Sequence, residues 1–258
     1  MKPENLRAIN QSFEIQAGQF ESSVLQFTKQ EYLDYTLQNV KPGGEESMLE
    51  VAAGTCVCGR SFAPYLRTVV CLDATDAMLE VGRHEAESSG LKNMVFVRGY
   101  AEELPFLDES FDIVFSRLAF HHFTDPERCF AEMVRCLRTG GRLVMIDMEA
   151  AREELRASQD TIETLRDPSH VRNLSRAEVL SLFSVHGLRV EKCEMNKIRQ
   201  ELTSWMALTK TPKPTQEDIL RKMKEDLNGG EKTGFCPYVM DGKICFDQRW
   251  VLTIGTRR

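Results

Sequence analysis

No apolar run in this 258-residue chain approaches the roughly 18 residues that a bilayer-spanning helix requires, so no membrane partner is expected. A basic surface is missing as well. The formal charge is -6 and Lys and Arg form no cluster, which argues against a nucleic-acid backbone as partner, because phosphates are held by grouped cations. Nor is there a secretory signal built of a basic start, an apolar stretch and a small-residue cleavage site. The eight cysteines are therefore expected as reduced thiols of a cytoplasmic protein. Metal-ligand spacing is lacking: Cys56 and Cys58 stand too close for a zinc knuckle, and no Cys or His pair follows them closely. No metal is expected. Internal repeats and low-complexity tracts are absent too.

What is present is 42% hydrophobic residues, ample for the core of one α/β domain with additions. Residues 1 to about 40 read as helix, with apolar positions at Phe13, Phe20, Val24, Leu25, Phe27, Tyr32, Leu33, Tyr35 and Leu37 at mixed three- and four-residue spacings. Lys41-Pro42-Gly43-Gly44 breaks it. This segment reads either as a cover over the sheet edge or as a flap over a substrate. Short apolar runs follow at Met48 to Ala52, Val69 to Leu72, Met94 to Val97, Phe111 to Phe115 and Leu143 to Ile146. Helices are expected between them, starting near Gly59, Asp76 and Asp125-Pro126, the last pair suiting an N-cap followed by a first-turn proline. Strands alternating with helices imply a parallel, doubly wound sheet that binds ligands outside the carboxyl ends of its strands.

Beyond Met148 the regularity fades. Ala150 to Arg166 reads as a helix ended by Asp167-Pro168, and Ser175 to His186 as another, with Ser175 and Glu178 as a capping box. Leu188 to Met195 and Ile244 to Gly255 look like two further strands. The polar stretch from Arg199 to Gly234 between them reads as an inserted helical cap. The expected division is a single domain over 1–258: N-terminal cover 1–44, cofactor core 45–150, and cover, insertion and last two strands 151–258.

The centre of the pattern is MLEVAAGTCVCG, answered by Asp73 in VVCLDAT. An apolar run that stops in a small-residue loop, re-enters a helix and is followed by a carboxylate after the next run is the sequence form of a nucleoside-binding βαβ unit. A dinucleotide fingerprint would place glycines at 54, 56 and 59, whereas the chain has Gly54, Cys56 and Gly59. The middle glycine lets the backbone approach a pyrophosphate, so Cys56 is expected to disfavour NAD or FAD. A ligand without phosphates, such as S-adenosylmethionine, asks less of the loop.

The segments LEVAAGT, VVCLDATDAMLEV, VRGYAEELPFLDESFDIVFSRLAFHHFTDP and RCLRTGGRLVMID resemble the successive motifs of class I S-adenosylmethionine-dependent methyltransferases of the ubiquinone and menaquinone biosynthesis type, the methyltransferase type 11 family. RLAFHHF, LRDPSHVR and the strand after FCPYVMDGKICF are similar to one bacterial branch of uncharacterised methyltransferases. The resemblance implies a Rossmann-like doubly wound seven-stranded sheet, mostly parallel with one reversed strand, bearing N-terminal helices and a helical insertion before the last strand. It implies a methionine-binding loop from Glu50, Ala52, Gly54 and Thr55, with Asp73 on the ribose hydroxyls. Ala74 and Met78 would flank the adenine, Ala101 and Glu102 would meet its edge, and Ser116, Arg117 and Leu118 would line the pocket. Cys56 and Tyr100 depart from the family pattern, Tyr100 standing where an Asp is common.

Methyl transfer from a sulfonium is an in-line displacement in which the protein mainly aligns the acceptor and, where required, removes its proton. Histidines near the pocket are the natural candidates. His121 and His122 follow the fourth strand at the mouth of the cleft; His121 is expected on the cofactor side, and His122 either packs or touches the acceptor. His170, with Arg166 and Arg172, would orient an anionic or carbonyl acceptor. Asp147 is a candidate polar wall residue, while His84 and His186 read as structural. The expected activity is methyl transfer from S-adenosylmethionine to a small-molecule acceptor, with a homodimer left open. A cofactor-binding sensor without transfer activity and an NAD-dependent dehydrogenase are the alternatives.

Overall fold

Strand pairing decides the architecture, because it fixes which strand ends meet. The computed structural model describes residues 5–17 and 29–258. Two helices come first, α1 (Leu6–Ala17) and α2 (Gln30–Val40). The expected helical positions Phe20, Val24, Leu25 and Phe27 lie outside the described residues. The alternating core then runs β1 (Ser47–Val51), α3 (Val57–Phe62), β2 (Thr68–Asp73), α4 (Asp76–Ser88), β3 (Met94–Arg98), β4 (Phe111–Arg117), α5 (Pro126–Cys136) and β5 (Leu137–Met148). After it come α6 (Glu153–Arg166), α7 (Arg176–Val185), β6 (Leu188–Glu201), α8 (Leu202–Leu208), α9 (Lys213–Leu227), β7 (Tyr238–Met240) and β8 (Lys243–Arg257).

The sheet order is β3-β2-β1-β4-β5-β8-β6, with β7 pairing β8 off this path. β1 to β5 are parallel, and β8 runs antiparallel to both β5 and β6. The expected seven strands with one reversed form the main path. An eighth, three-residue strand corrects the count: β7 folds back on β8 through Asp241 and Gly242, both at positive φ, the backbone of a tight hairpin turn. The order reverses between β1 and β4, and at such a switch point the loops leaving neighbouring strands splay apart and open a crevice.

Both faces of the sheet are covered. Leu49, Val51, Val70, Leu72 and Val114 pack on the side of α5 and α7, against Phe130 and Phe183. Met48, Cys71, Ile113 and Phe115 pack on the other side, against Phe62, Leu79 and Leu33. Successive strand residues point to opposite faces, so strands buried on both sides read as continuous apolar runs. A third cluster ties the cap to the sheet, Trp205, Ile219 and Met223 closing on Phe235 and Phe246. Asp125 caps α5 by accepting from Arg128 N at 3.0 Å, and the Ser175–Glu178 capping box of α7 is formed. Among the described residues no helix is long and apolar enough to cross a membrane.

Candidate active site

The turn leaving β1 is shaped by backbone more than by side chains. Ala52, Gly54 and Cys56 all hold positive φ, at 54°, 53° and 59°. The left-handed positions thus fall at 52, 54 and 56, not at the 54, 56 and 59 of a dinucleotide fingerprint. Gly59 serves another purpose: inside α3, a Cβ there would meet Glu50 Oε2 at 2.6 Å and Cys71 Sγ at 2.7 Å. The Cys56 side chain is fully buried and does not line the cavity. It points toward α4, where a Cβ on Gly82 would meet its sulfur at 2.8 Å. The expectation that Cys56 crowds an approaching pyrophosphate is corrected accordingly.

Asp73, at the end of β2, ties this turn to the sheet. Its Oδ2 accepts from Gly54 N and its Oδ1 from Thr75 N, both at 2.8 Å. Burial raises its pKa against the pull of those two donors. Glu50 is buried beneath the turn, with Oε2 accepting from Gly59 N at 2.8 Å, and burial pushes it up to about 7. Glu102 is raised by burial as well, and its Oε1 has no hydrogen-bond partner among the described residues.

These groups surround a cavity at the carboxyl ends of β1, β2 and β4. Of the predicted positions, Glu50, Ala52, Gly54, Asp73 and Ala74 line it from one side, and Ala101, Glu102, Arg117 and Leu118 from the other. Thr55, Met78 and Ser116 do not line it. Thr55 and Met78 are fully buried against α4 and in its core face, and Ser116 Oγ donates to Val51 O at 3.1 Å. Cys58, Tyr100 and, from α1, Ile9 and Phe13 also contribute. Cys58 accepts from an Arg117 Nη1 at 3.4 Å, and that guanidinium lies 4.9 Å from the Trp250 ring.

A second cavity adjoins the first and shares Phe13, Leu118 and His122 with it. His121 and His170 line only the second, so His121, expected on the cofactor side, does not line the cavity that Glu50 and Asp73 line. His121 Nδ1 lies 2.6 Å from Asp147 Oδ1. That carboxylate also accepts from Ala119 N, Phe120 N and Met148 N, so it is anchored to the turn that carries the histidines. Burial works against a charged His121 ring, but Asp147 outweighs it, and the pKa is raised above 6.5. His122 is pushed down to about 3 by burial and by its neighbour His121, whose ring centroid is 4.1 Å away. His170 Nε2 meets Asp160 Oδ1 at 3.0 Å.

Sequence reasoning missed the partners of these rings. Ser169 Oγ lies 3.1 Å from His122 Nδ1 and donates to Asp167 Oδ1 at 2.6 Å; Ser12 of α1 donates to the same oxygen at 2.8 Å. Asp167 was legible only as a helix stop. Arg166 lines the second cavity, but its Nε donates to Trp205 O at 2.9 Å and its guanidinium lies 4.4 Å from the Trp205 ring. Arg172 pairs with Glu178 at 2.7 Å and is not brought to the cavity. Among the described residues no group of three or more His, Cys, Asp or Glu is arranged to hold a metal ion.

A doubly wound sheet with a carboxylate-lined crevice at its switch point is a Rossmann-like architecture, the class of fold that binds ligands at the carboxyl ends of its strands. Comparison with known proteins narrows the class. A methyltransferase-domain family matches residues 49–145. YcgJ of Bacillus subtilis, an uncharacterized methyltransferase, is 31% identical over 234 residues, 90% of this chain and 92% of YcgJ. Its crystal structure superposes with a TM-score of 0.81 over 88% of this chain and 97% of that one. The uncharacterized YafE of Escherichia coli is 40% identical over 61% of this chain and 76% of its own. The UbiE C-methyltransferase of ubiquinone and menaquinone biosynthesis from Ectopseudomonas mendocina is 36% identical over 43% and 44%. The chain belongs to the class I S-adenosylmethionine-dependent methyltransferases.

Proposed function

We propose that the first cavity holds S-adenosylmethionine and the second a small-molecule acceptor, the methyl group crossing where Phe13, Leu118 and His122 border both. The junction of the two cavities is the observation that carries this reading. Three carboxyl side chains, Glu50, Asp73 and Glu102, line the first cavity. They suit a ligand with a cationic sulfonium and ammonium, and they would repel the pyrophosphate of a dinucleotide. These carboxylates, and not the buried Cys56, disfavour a dinucleotide.

The residues fit the donor molecule individually. Each Asp73 oxygen already takes one backbone N–H, and a carboxylate has about four lone-pair sites, leaving room for a ribose diol. Glu50, held near 7, gains a counter-charge from the ammonium. Glu102 Oε1, buried without a partner among the described residues, supplies an acceptor for a nucleoside N–H or O–H. Bound S-adenosylmethionine supplies an activated methyl group; the protein's part is to align the acceptor and exclude water. The chain is read as one methyltransferase domain over residues 1–258. Its expected partner is a small molecule in the cytoplasm, with neither nucleic acid nor membrane.

Calorimetric titration with S-adenosylmethionine tests the reading. Asp73→Ala should weaken binding by about 1.5–3 kcal/mol, the worth of hydrogen bonds to a charged group. Wild-type protein that gives no binding heat refutes the proposal, and an unchanged affinity in the variant removes Asp73 from the ribose.

A further inference from the structure

β8 outruns its partner on one side of the sheet. β5 ends at Met148, opposite Trp250, and β7 takes up pairing only at Cys245. Residues 246–249 of β8 therefore keep β6 on one edge and, among the described residues, have no strand on the other. Glu149 N, donating to Arg249 O at 2.9 Å, spans the gap. Successive strand residues point to opposite faces, so side chains of both faces meet at this open edge, Phe246 and Gln248 from one and Asp247 and Arg249 from the other. All four line a third cavity of about 610 Å³, against about 120 Å³ for the second. It is a slot through the sheet edge. The slot adjoins the second cavity across Met148, Glu163 and Gln248, where Gln248 Nε2 meets the Met148 sulfur. A methionine divider is unbranched and adaptable, so it can swing aside without moving backbone.

The slot carries a surplus of positive charge. Of its three carboxylates, Glu163 faces Arg166 at 3.7 Å, and Asp247 accepts at 2.8 Å from the Tyr238 hydroxyl, to which Arg199 donates at 3.2 Å. Glu149 is shared between Arg176, at 3.2 Å, and Arg249. Lys197 stands directly opposite Arg249 in the β6–β8 register and has no ion-pair partner among the described residues. One carboxylate thus serves two guanidiniums and an ammonium. Like charges directly opposite on neighbouring strands repel, and an anion between them relieves the pair.

Building on the two-cavity reading, we infer that the methyl acceptor carries an acidic group, its reactive end in the second cavity and its anionic end in the slot against Lys197 and Arg249. A cationic acceptor would meet two charges of its own sign there. A neutral one would leave them uncompensated.

The test uses the full chain carrying 13C-methyl methionine and loaded with S-adenosylhomocysteine. Met148 reports the divider, Met195 the slot alone, and Met133, in the core, neither. The probes are phenylalkanoates of increasing length, from phenylacetate to ω-phenylhexanoate, with the matching amines and acetate beside them. One length should shift Met148 and Met195 together while Met133 stays in place, and the amine of that length should bind more weakly. Lys197→Gln should weaken that phenylalkanoate about two- to fivefold, the worth of one partly exposed ion pair. Its affinity for S-adenosylhomocysteine should match wild type, because Lys197 does not line the first cavity. No length that moves both methionines, an amine that binds as tightly, or a Lys197→Gln protein that binds the phenylalkanoate like wild type overturns the inference. So does acetate that moves Met195 as far as the best phenylalkanoate, which marks a site for a free anion. Failure of wild-type protein to bind S-adenosylhomocysteine by calorimetry refutes the two-cavity reading instead.

Discussion

Glu50→Gln should stabilise the ligand-free protein in alkaline solution and weaken its hold on the methyl donor. Glu50 is 3% exposed, and burial lifts its pKa from 4.5 to about 7. A difference of that size is worth on the order of 3 kcal/mol between its two protonation states. The sign follows from linkage. A carboxyl whose folded pKa lies above its unfolded value contributes stability that is fully present below 4.5 and lost as the pH rises through 7. The variant has no proton to lose. Its side-chain oxygen can still accept from Gly59 N and from the Cys71 thiol, which lies 3.5 Å from Glu50 Oε2. Urea unfolding of both proteins at pH 5 and pH 8 separates this group from all others, because shared titrations cancel in the comparison. The stability of Glu50→Gln relative to wild type should rise by about 3 kcal/mol between the two conditions. Parallel pH profiles would refute the buried-carboxyl account. On the proposed occupancy, the variant should also bind S-adenosylmethionine more weakly, since an ammonium facing an amide loses its counter-charge.

Two further substitutions probe the frame around the site. Gly82→Ala places a Cβ 2.8 Å from both Cys56 Sγ and Thr55 O, an overpacking expected to cost about 1–3 kcal/mol. Thermal unfolding would show it, and adding Cys56→Gly should restore part of the loss by removing the sulfur; no recovery would mean that the Thr55 carbonyl alone sets the contact. Ser175→Ala breaks the reciprocal cap of α7 and should cost about 1 kcal/mol in urea titrations, whereas an unchanged midpoint would show the cap to be idle.

The parallel half of the fold was legible because its inner strands β1, β2 and β4 and the end of β5 are buried on both faces and read as apolar runs, and the edge strand β3, although Val95 is 48% exposed, is apolar as well. Asp125-Pro126 and Ser175 with Glu178 marked helix starts through side chains that satisfy backbone donors, and both caps are formed. The last strands were harder. β6 continues to Glu201, well past Met195, because Leu188–Glu201 is an edge strand whose charged residues stand in solvent while backbone bonds to β8 run on to its end. Charge hides such a strand from a hydrophobicity pattern. β7 is three residues long and exists only as the partner of β8, although Asp241-Gly242 carries the turn signal that locates it.

The site divides along the same physical line. Asp73 was legible because a carboxylate after a strand is visible in one dimension; what it does locally was not. Ala52 and Cys56 occupy the left-handed region, at a cost of about 1 kcal/mol or more each relative to glycine. Something must hold the turn in that shape. Ala53 N donates to Leu72 O, Cys56 N to Ala53 O, and Gly54 N to Asp73 Oδ2. The sulfur of Cys56 fills the niche that Gly82 leaves open. The carboxylate that faces the cavity is therefore also a strut of the turn beside it, and the departure at Cys56 is compensated by a glycine 26 positions later in sequence on another helix. Pairings of that kind, like Ser169 and Asp167 behind His122, join residues whose separation along the chain carries no period or motif. They become visible only when hydrogen-bond donors and acceptors are matched one by one in space.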